Sequence, residues 1–273
     1  MSAFTKKLKR TIGRALPGPL YDVARFLYNH VTSAKLIFSL PPVPGLTFGK
    51  RLAFARRLAR ISQNVLCPHN QSQIIAFLSA FLALPPEKEG CIVEAGSYKG
   101  GSTAKFSIGA RMVNRQLVAF DSFEGLPENL EPHEKSILGH SIENAFEGGR
   151  FCGTLEEVKA NVSKYGEPDV CRYIQGWFDE TMPDFSEKIC AAYVDVDLAS
   201  STKTCLKYLY PLLIPGGVLV SQDGDFPLVI EVFDDDEFWE NEVGCKKPHI
   251  EGLGSRKLLK IVKPVGQEDK APA

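Results

Sequence analysis

The apolar residues divide the chain into a helix-patterned first part and a later part where short apolar runs alternate with amphipathic stretches. Up to about residue 66 the helical pattern is interrupted: Pro17 and Pro19 set a short basic segment apart from residues 20–38, and Pro41, Pro42, Pro44 and Gly45 mark a loop. A basic amphipathic helix is expected from about Gly49 to Ile61, followed by a more apolar, buried helix from Ser72 to Leu84 that Pro85 and Pro86 stop. After Gly90 the rhythm changes. Strands are expected at residues 91–93, 116–120, 170–174, 189–194 and 218–221, with helices at 102–112, 154–166 and 201–213 between them. Pro215-Gly216-Gly217 reads as the turn that ends the last of these helices, and residues 257–262 read as a final strand. This alternation predicts an α/β fold with a mostly parallel sheet covered on both faces. Residues 123–153 are polar and too long for a simple connection, so they are expected to form a lid or substrate loop.

Composition changes this picture little, and charge changes it more. A chain of 273 residues that is 44% hydrophobic and 24% charged is not collagen-like, low-complexity or multi-span membrane protein. Its net charge of -1 hides a division: residues 1–86 carry 12 Lys and Arg against the single acid Asp22, a balance of +11, and the remainder carries 20 basic against 32 acidic residues, a balance of -12. The basic segment therefore has a different task from the rest, such as docking on the acidic part, a neighbouring subunit or an anionic membrane surface. Seven widely spaced cysteines, without a C-x-x-C, fit a reduced compartment, and those inside apolar runs read as small buried hydrophobes. No apolar stretch near the N-terminus reaches signal-peptide or membrane-span length, so a cytoplasmic location is expected.

In parallel sheets of this kind, ligands bind beyond the carboxyl ends of the strands. The first strand is followed by Glu94-Ala95-Gly96-Ser97-Tyr98-Lys99-Gly100-Gly101-Ser102-Thr103, a glycine-rich turn that opens a helix. The spacing is neither G-x-G-x-x-G nor a phosphate loop, and an acid at the strand end favours a ligand bearing an ammonium or sulfonium group over a pyrophosphate. Asp121, after the second strand, suits ribose hydroxyls.

The loop is similar to that of class I S-adenosylmethionine-dependent methyltransferases, catechol O-methyltransferase among them. Four further stretches resemble the macrocin O-methyltransferase (TylF-like) family: Phe120-Asp121-Ser122-Phe123-Glu124-Gly125-Leu126-Pro127, Gly176-Trp177-Phe178-Asp179-Glu180-Thr181-Met182-Pro183, Asp195-Val196-Asp197-Leu198-Ala199-Ser200-Ser201-Thr202 and the run from Leu209 to Gly217. The resemblance spans roughly residues 67–263. It implies a Rossmann-like class I methyltransferase domain over 67–273 whose last strand is antiparallel, preceded by a basic helical extension over 1–66, with S-adenosylmethionine as donor and a homo-oligomeric assembly. By motif position it assigns Glu94, Gly96, Tyr98, Gly101, Ser102, Asp121, Ser122 and Gly176 to the donor. Lys99 meets either the donor carboxylate or solvent, and Trp177 either stacks on the adenine or belongs to the core.

Transfer of a methyl group to oxygen needs a positioned and deprotonated acceptor. Asp195 and Asp223, each just past a strand end, can converge on a hard cation such as Mg²⁺, and Asp197, two residues after Asp195, can take the acceptor's proton. The resemblance implies the same roles: Asp195 for metal, Asp197 as base, and an Asp-Asp pair after the next strand. Here that pair is replaced by Gln222-Asp223, followed by Gly224-Asp225. His69, His133, His140 and His249 form no spaced pair with another ligand and read as solvated or packing residues, although the long loop can bring His133 and His140 over the acceptor. The acid-rich stretch from Glu231 to Glu242 reads as a solvated face. The expectation is a divalent-metal-assisted O-methyltransferase acting on a hydroxyl of a sugar, another polyhydroxylated small molecule or a glycoconjugate. The competing readings are a nucleic-acid methyltransferase, prompted by the basic segment, and a non-catalytic protein of the same fold that binds the donor.

Overall fold

The computed structural model describes residues 40–265 together with residues 31, 34, 37 and 38. The basic segment at residues 6–14 and most of the expected 20–38 stretch lie outside the described residues. Seven strands form one sheet: β1 (Cys91–Ala95), β2 (Leu117–Asp121), β3 (Cys171–Gln175), β4 (Ile189–Val194), β5 (Leu213–Ser221), β6 (Ile250–Glu251) and β7 (Leu259–Val262). Their spatial order is β3-β2-β1-β4-β5-β7-β6. The first five are parallel to one another, and β7 runs antiparallel to both β5 and β6. The chain order reverses at β1, where it turns from β2 to β4. That switch point opens a crevice at the strands' carboxyl ends.

Among the described residues, the α-helices of four or more residues that flank the sheet are α1 (Phe48–Asn64), α2 (Gln71–Leu82), α3 (Gly101–Met112), α4 (Leu155–Tyr165), α5 (Phe178–Thr181), α6 (Ala199–Leu209) and α7 (Pro227–Asp234). β1 and β4 are buried on both faces, so their side chains divide by parity between two cores. Ile92, Tyr193 and Val220 meet Phe54 and Leu58 of α1, Phe77 of α2, Phe106 of α3 and Val158 of α4. On the opposite face Val93, Val194 and Leu219 meet Leu206 of α6 and Phe233 of α7, with Trp239 beyond them. The core on the first face runs across residue 66 without a break, so the later part of the basic extension is a layer of the fold.

Local signals set the ends. Asn70 and Gln73 form a reciprocal capping box at α2, and the Thr154 hydroxyl accepts the Glu157 amide at 3.2 Å to start α4. Three expectations are corrected. β5 starts at Leu213, so Pro215-Gly216-Gly217 lies inside a strand rather than in the turn before it. Its register against β4 slips between Ile189↔Leu213 and Ala191↔Val218, and Gly216 takes up the irregularity at φ 79°. The two-residue β6 leaves no period to read. The acid-rich stretch is only partly solvated, because Val232, Phe233, Phe238 and Trp239 are buried. Cys91, Cys190, Cys205 and Cys245 are buried, and burial pushes the Cys91 thiol up to about 12, which makes these structural residues. Among the described residues no helix is long and apolar enough to cross a membrane.

Candidate active site

A cavity of about 680 Å³ opens at the carboxyl ends of β1, β2, β4 and β5. Part of the 123–153 loop roofs it, with Ile142, Phe146 and Phe151 facing inward. The cavity has two ends of different chemistry.

At one end lie Gly96, Tyr98, Asp121, Ser122, Gly176 and Trp177. Asp121 ties the glycine-rich turn to β2: its Oδ2 accepts the Ser97 amide at 2.6 Å and the Tyr98 amide at 3.3 Å, and its Oδ1 accepts the Phe123 amide at 2.8 Å. Burial pushes the carboxyl up, and the three amides oppose that shift. Gly96 sits at φ 88°, where an added Cβ would lie 2.0 Å from the Asp195 carbonyl oxygen. Only glycine lets β1 and β4 approach this closely where they enter the site. Trp177 is at the cavity wall and not in the core.

Three residues expected at the donor site do not line the cavity. Glu94 has the parity of Ile92 and points toward the α1–α4 face, fully buried, where burial pushes its carboxyl up to about 7 against the Ser102 and Thr103 hydroxyls. Ser102 lies in the same buried layer at the start of α3. Gly101 serves packing, since a Cβ there would meet Cys67 Cβ at 2.7 Å. Lys99 pairs with Glu157 at 2.7 Å.

At the other end the carboxylates of Asp195, Asp197, Asp223 and Asp225 gather with Lys257 and His69. Asp223 Oδ2 accepts the amides of Val196 at 2.9 Å and Asp197 at 3.0 Å, which holds Asp197 in the left-handed region at φ 61°. Burial pushes Asp197 well above the usual carboxylate range, and the charges of Asp223 and Asp195 add to it. Asp223 is pushed up to about 7, again first by burial and then by Asp195, while Lys257 opposes the shift. These are the crowded acids from which a proton acceptor working near neutrality is built.

Three residues of this end were not singled out from sequence, or were read as packing. His69, from the loop before α2, places Nε2 2.7 Å from Asp195 Oδ2, with its side chain only 5% exposed. Burial pulls the imidazole down, but Asp195's charge and hydrogen bond outweigh it and set it at about 9. Lys257, just before β7, reaches in to place Nζ 3.1 Å from Asp225 Oδ1 and 4.9 Å from the centre of the Phe226 ring. Glu131, on the long loop, caps α6 from outside: its carboxylate accepts the amides of Ala199 at 2.8 Å and Ser200 at 2.9 Å and the Ser200 hydroxyl at 2.7 Å. The helix's own N-cap, Leu198, has no side chain able to do this. Glu131 also holds His133, which packs on Phe146, while His140 lines the cavity. For His69, Lys257 and Glu131 proximity in space was the only signal.

The two ends bear differently on expected ligands. The donor end fits S-adenosylmethionine: the cavity has room for it, Asp121 and Ser122 supply polar contacts, and Trp177 supplies a flat apolar wall. The acid end does not fit a ready-made Mg²⁺ site. Gln222 replaces a carboxylate and its Oε1 accepts the Tyr193 hydroxyl at 3.0 Å, while Asp195, Asp223 and Asp225 each have an oxygen already engaged. Among the described residues no three His, Cys, Asp or Glu side chains converge as metal ligands.

Residues 84–248 match the Macrocin-O-methyltransferase (TylF) family. Curated relatives include the 8-demethyl-8-(2,3-dimethoxy-alpha-L-rhamnosyl)-tetracenomycin-C 4'-O-methyltransferase of Streptomyces olivaceus, 32% identical over 143 residues, which are 49% of this chain and 52% of the relative. The mycinamicin III 3''-O-methyltransferase of Micromonospora griseorubida is 29% identical over 143 residues, 50% of this chain and 56% of the relative. The chain thus spans about half the length of the curated relatives it matches. Among solved structures, the O-methyltransferase NovP superposes with a TM-score of 0.54 at 20% identity, covering 91% of this chain and 100% of that one. CalS11, a calicheamicin methyltransferase, gives 0.56 at 19% identity, covering 86% and 91%. These two likenesses confirm the Rossmann-like class I fold.

Proposed function

This chain belongs to the macrocin O-methyltransferase (TylF) family, and from that premise we propose that it is an S-adenosylmethionine-dependent O-methyltransferase acting on a hydroxyl of a sugar, another polyhydroxylated small molecule or a glycoconjugate. The observation that carries the reading is the two-ended cavity, in which a backbone-braced donor end and a crowded carboxylate end share one volume. The rhamnosyl acceptor named for the Streptomyces olivaceus relative supports a sugar hydroxyl.

S-adenosylmethionine, when bound, supplies a methyl carbon activated by a positive sulfur. This chain's part is placement and proton handling. The Gly96–Gly101 turn and Asp121 fix the donor pocket, with Trp177 as the wall for its base. Asp197, displayed on a left-handed residue and braced by Asp223, would take the proton from the acceptor hydroxyl as the new C–O bond forms and the methyl–sulfur bond breaks, with the sulfur leaving as a neutral thioether. Its raised proton affinity matches that task better than an ordinary aspartate would. Asp195 and His69, both lining the cavity, hold each other in place. Phe146 and Phe226 offer ring faces for the apolar side of a sugar. The carboxylates of this cavity would repel a polyphosphate backbone, which weighs against a nucleic-acid acceptor.

Calorimetric titration with S-adenosylmethionine and S-adenosylhomocysteine tests the donor half directly. One site per chain for each is the expected result, with weaker binding in Asp121→Ala. No heat with either compound would remove the reading.

A further inference from the structure

We propose that Lys257 is the resident counter-cation of the carboxylate end and that this site takes no divalent metal. The inference rests on the methyltransferase reading for its consequence in turnover, and on geometry alone for the metal. Mg²⁺ demands a near-octahedral shell of oxygens and gives up its water reluctantly. Here one oxygen of each side chain expected to serve it already has other work. Asp195 Oδ2 is held by His69, Asp223 Oδ2 by two backbone amides, and Gln222 Oε1 by the buried Tyr193 hydroxyl. The amide at position 222 also brings no negative charge to offset the dehydration of the ion.

The charge that a cation would supply is already built in. Lys257 sends its ammonium into the cavity from the turn before β7, paired with Asp225 at 3.1 Å and lying 4.9 Å from the Phe226 ring centre. Its own backbone is pinned, because the Lys257 carbonyl accepts the Gly224 amide at 2.9 Å in the segment that carries Asp223 and Asp225. An ammonium has three donors. The pair with Asp225 uses one, which leaves donors for the acceptor oxygen as it loses its proton to Asp197. A divalent ion seated among Asp195, Asp197 and Asp223 would have this fixed ammonium as a like-charged neighbour, a second reason for its exclusion. Lys257 therefore steadies the forming alkoxide, the electrostatic task that metals perform in other transferases.

The test is Mn²⁺ uptake followed by electron paramagnetic resonance on the full chain, with and without S-adenosylmethionine. Mn²⁺ stands in for Mg²⁺, and its free-ion signal is lost on binding. The wild type is expected to leave that signal intact, and Gln222→Asp combined with Lys257→Met, which restores a carboxylate and removes the ammonium, is expected to take up one Mn²⁺ per chain. Uptake of one ion by the wild type overturns the proposal, and so does a folded, donor-binding double variant that takes up none. Lys257→Met alone is expected to lose turnover by about 100-fold with donor affinity retained and with partial rescue in Lys257→Arg. Wild-type turnover in Lys257→Met would remove its role at the acceptor. Failure of the methyltransferase reading is visible separately, as absence of donor binding, and leaves the Mn²⁺ result interpretable.

Discussion

The two ends of the cavity handle negative charge in opposite ways. At the donor end Asp121 is surrounded by three backbone amides, so its charge is met by groups that cannot move away. At the acid end Asp195, Asp197 and Asp223 face one another, two of them are pushed up, and the opposing charges come from the side chains of His69 and Lys257. Satisfied electrostatics make a binding surface, and strained electrostatics make a reactive one. On the proposed function, this difference gives donor placement to one end and proton transfer to the other.

The comparison breaks most sharply at Asp197. Asp197→Asn keeps the side chain's shape and removes its basicity, so steady-state turnover is expected to fall by about 10²–10⁴-fold while calorimetric donor affinity stays unchanged. A parallel fall in both would merge the two ends into one unit.

The next effect is on stability. His69 has an ordinary value near 6.5 and stands at about 9 in the fold, so the stabilisation it provides is full below pH 6.5 and is lost as pH rises through 9. Denaturant midpoints of the donor-free protein should record a loss of about 3 kcal/mol across that range. His69→Gln should abolish this alkaline loss. Glu94 and Asp223, raised to about 7, lose their protonated-state stability in a lower window, from near pH 4 to 7.

Smaller effects follow at the donor end and the roof. Asp121→Ala should weaken donor binding by about 10–100-fold, the worth of charged hydrogen bonds, with turnover at saturating donor largely kept. Glu131→Gln leaves one oxygen where two capped α6 and should cost about 1 kcal/mol. It should be read as faster hydrogen exchange over residues 123–153 and a higher KM for the acceptor.

Much of the fold was legible because its elements obey one period each. The doubly buried β1 and β4 show as continuous apolar runs, α2 as an apolar stretch stopped by Pro85-Pro86, and α4 by the Thr154 cap. Pro215 and two glycines look like a turn, which hides the first half of β5, and only pairing with β4 shows that the strand bulges through them. The site was legible where it follows strand ends: Asp121, Asp195, Asp197 and Asp223 all stand at the crevice. Glu94 follows the same rule and points away from it, because strand parity and not position decides the face. His69, Glu131 and Lys257 come from a loop before α2, the long loop and the turn before β7. Nothing local in the chain links them to Asp195, Ala199 and Asp225, so only the folded arrangement identifies their partners.

The proposed reaction is transfer of a methyl group to an oxygen of a sugar-like acceptor. Its most direct test is mass spectrometry of cell extract incubated with the protein and S-adenosylmethionine carrying an isotopically labelled methyl. The expected product is a labelled methyl ether on a carbohydrate hydroxyl, formed by the wild type and not by Asp197→Asn. Label found on a base of nucleic acid, or no labelled product from any extract with the donor demonstrably bound, would contradict it.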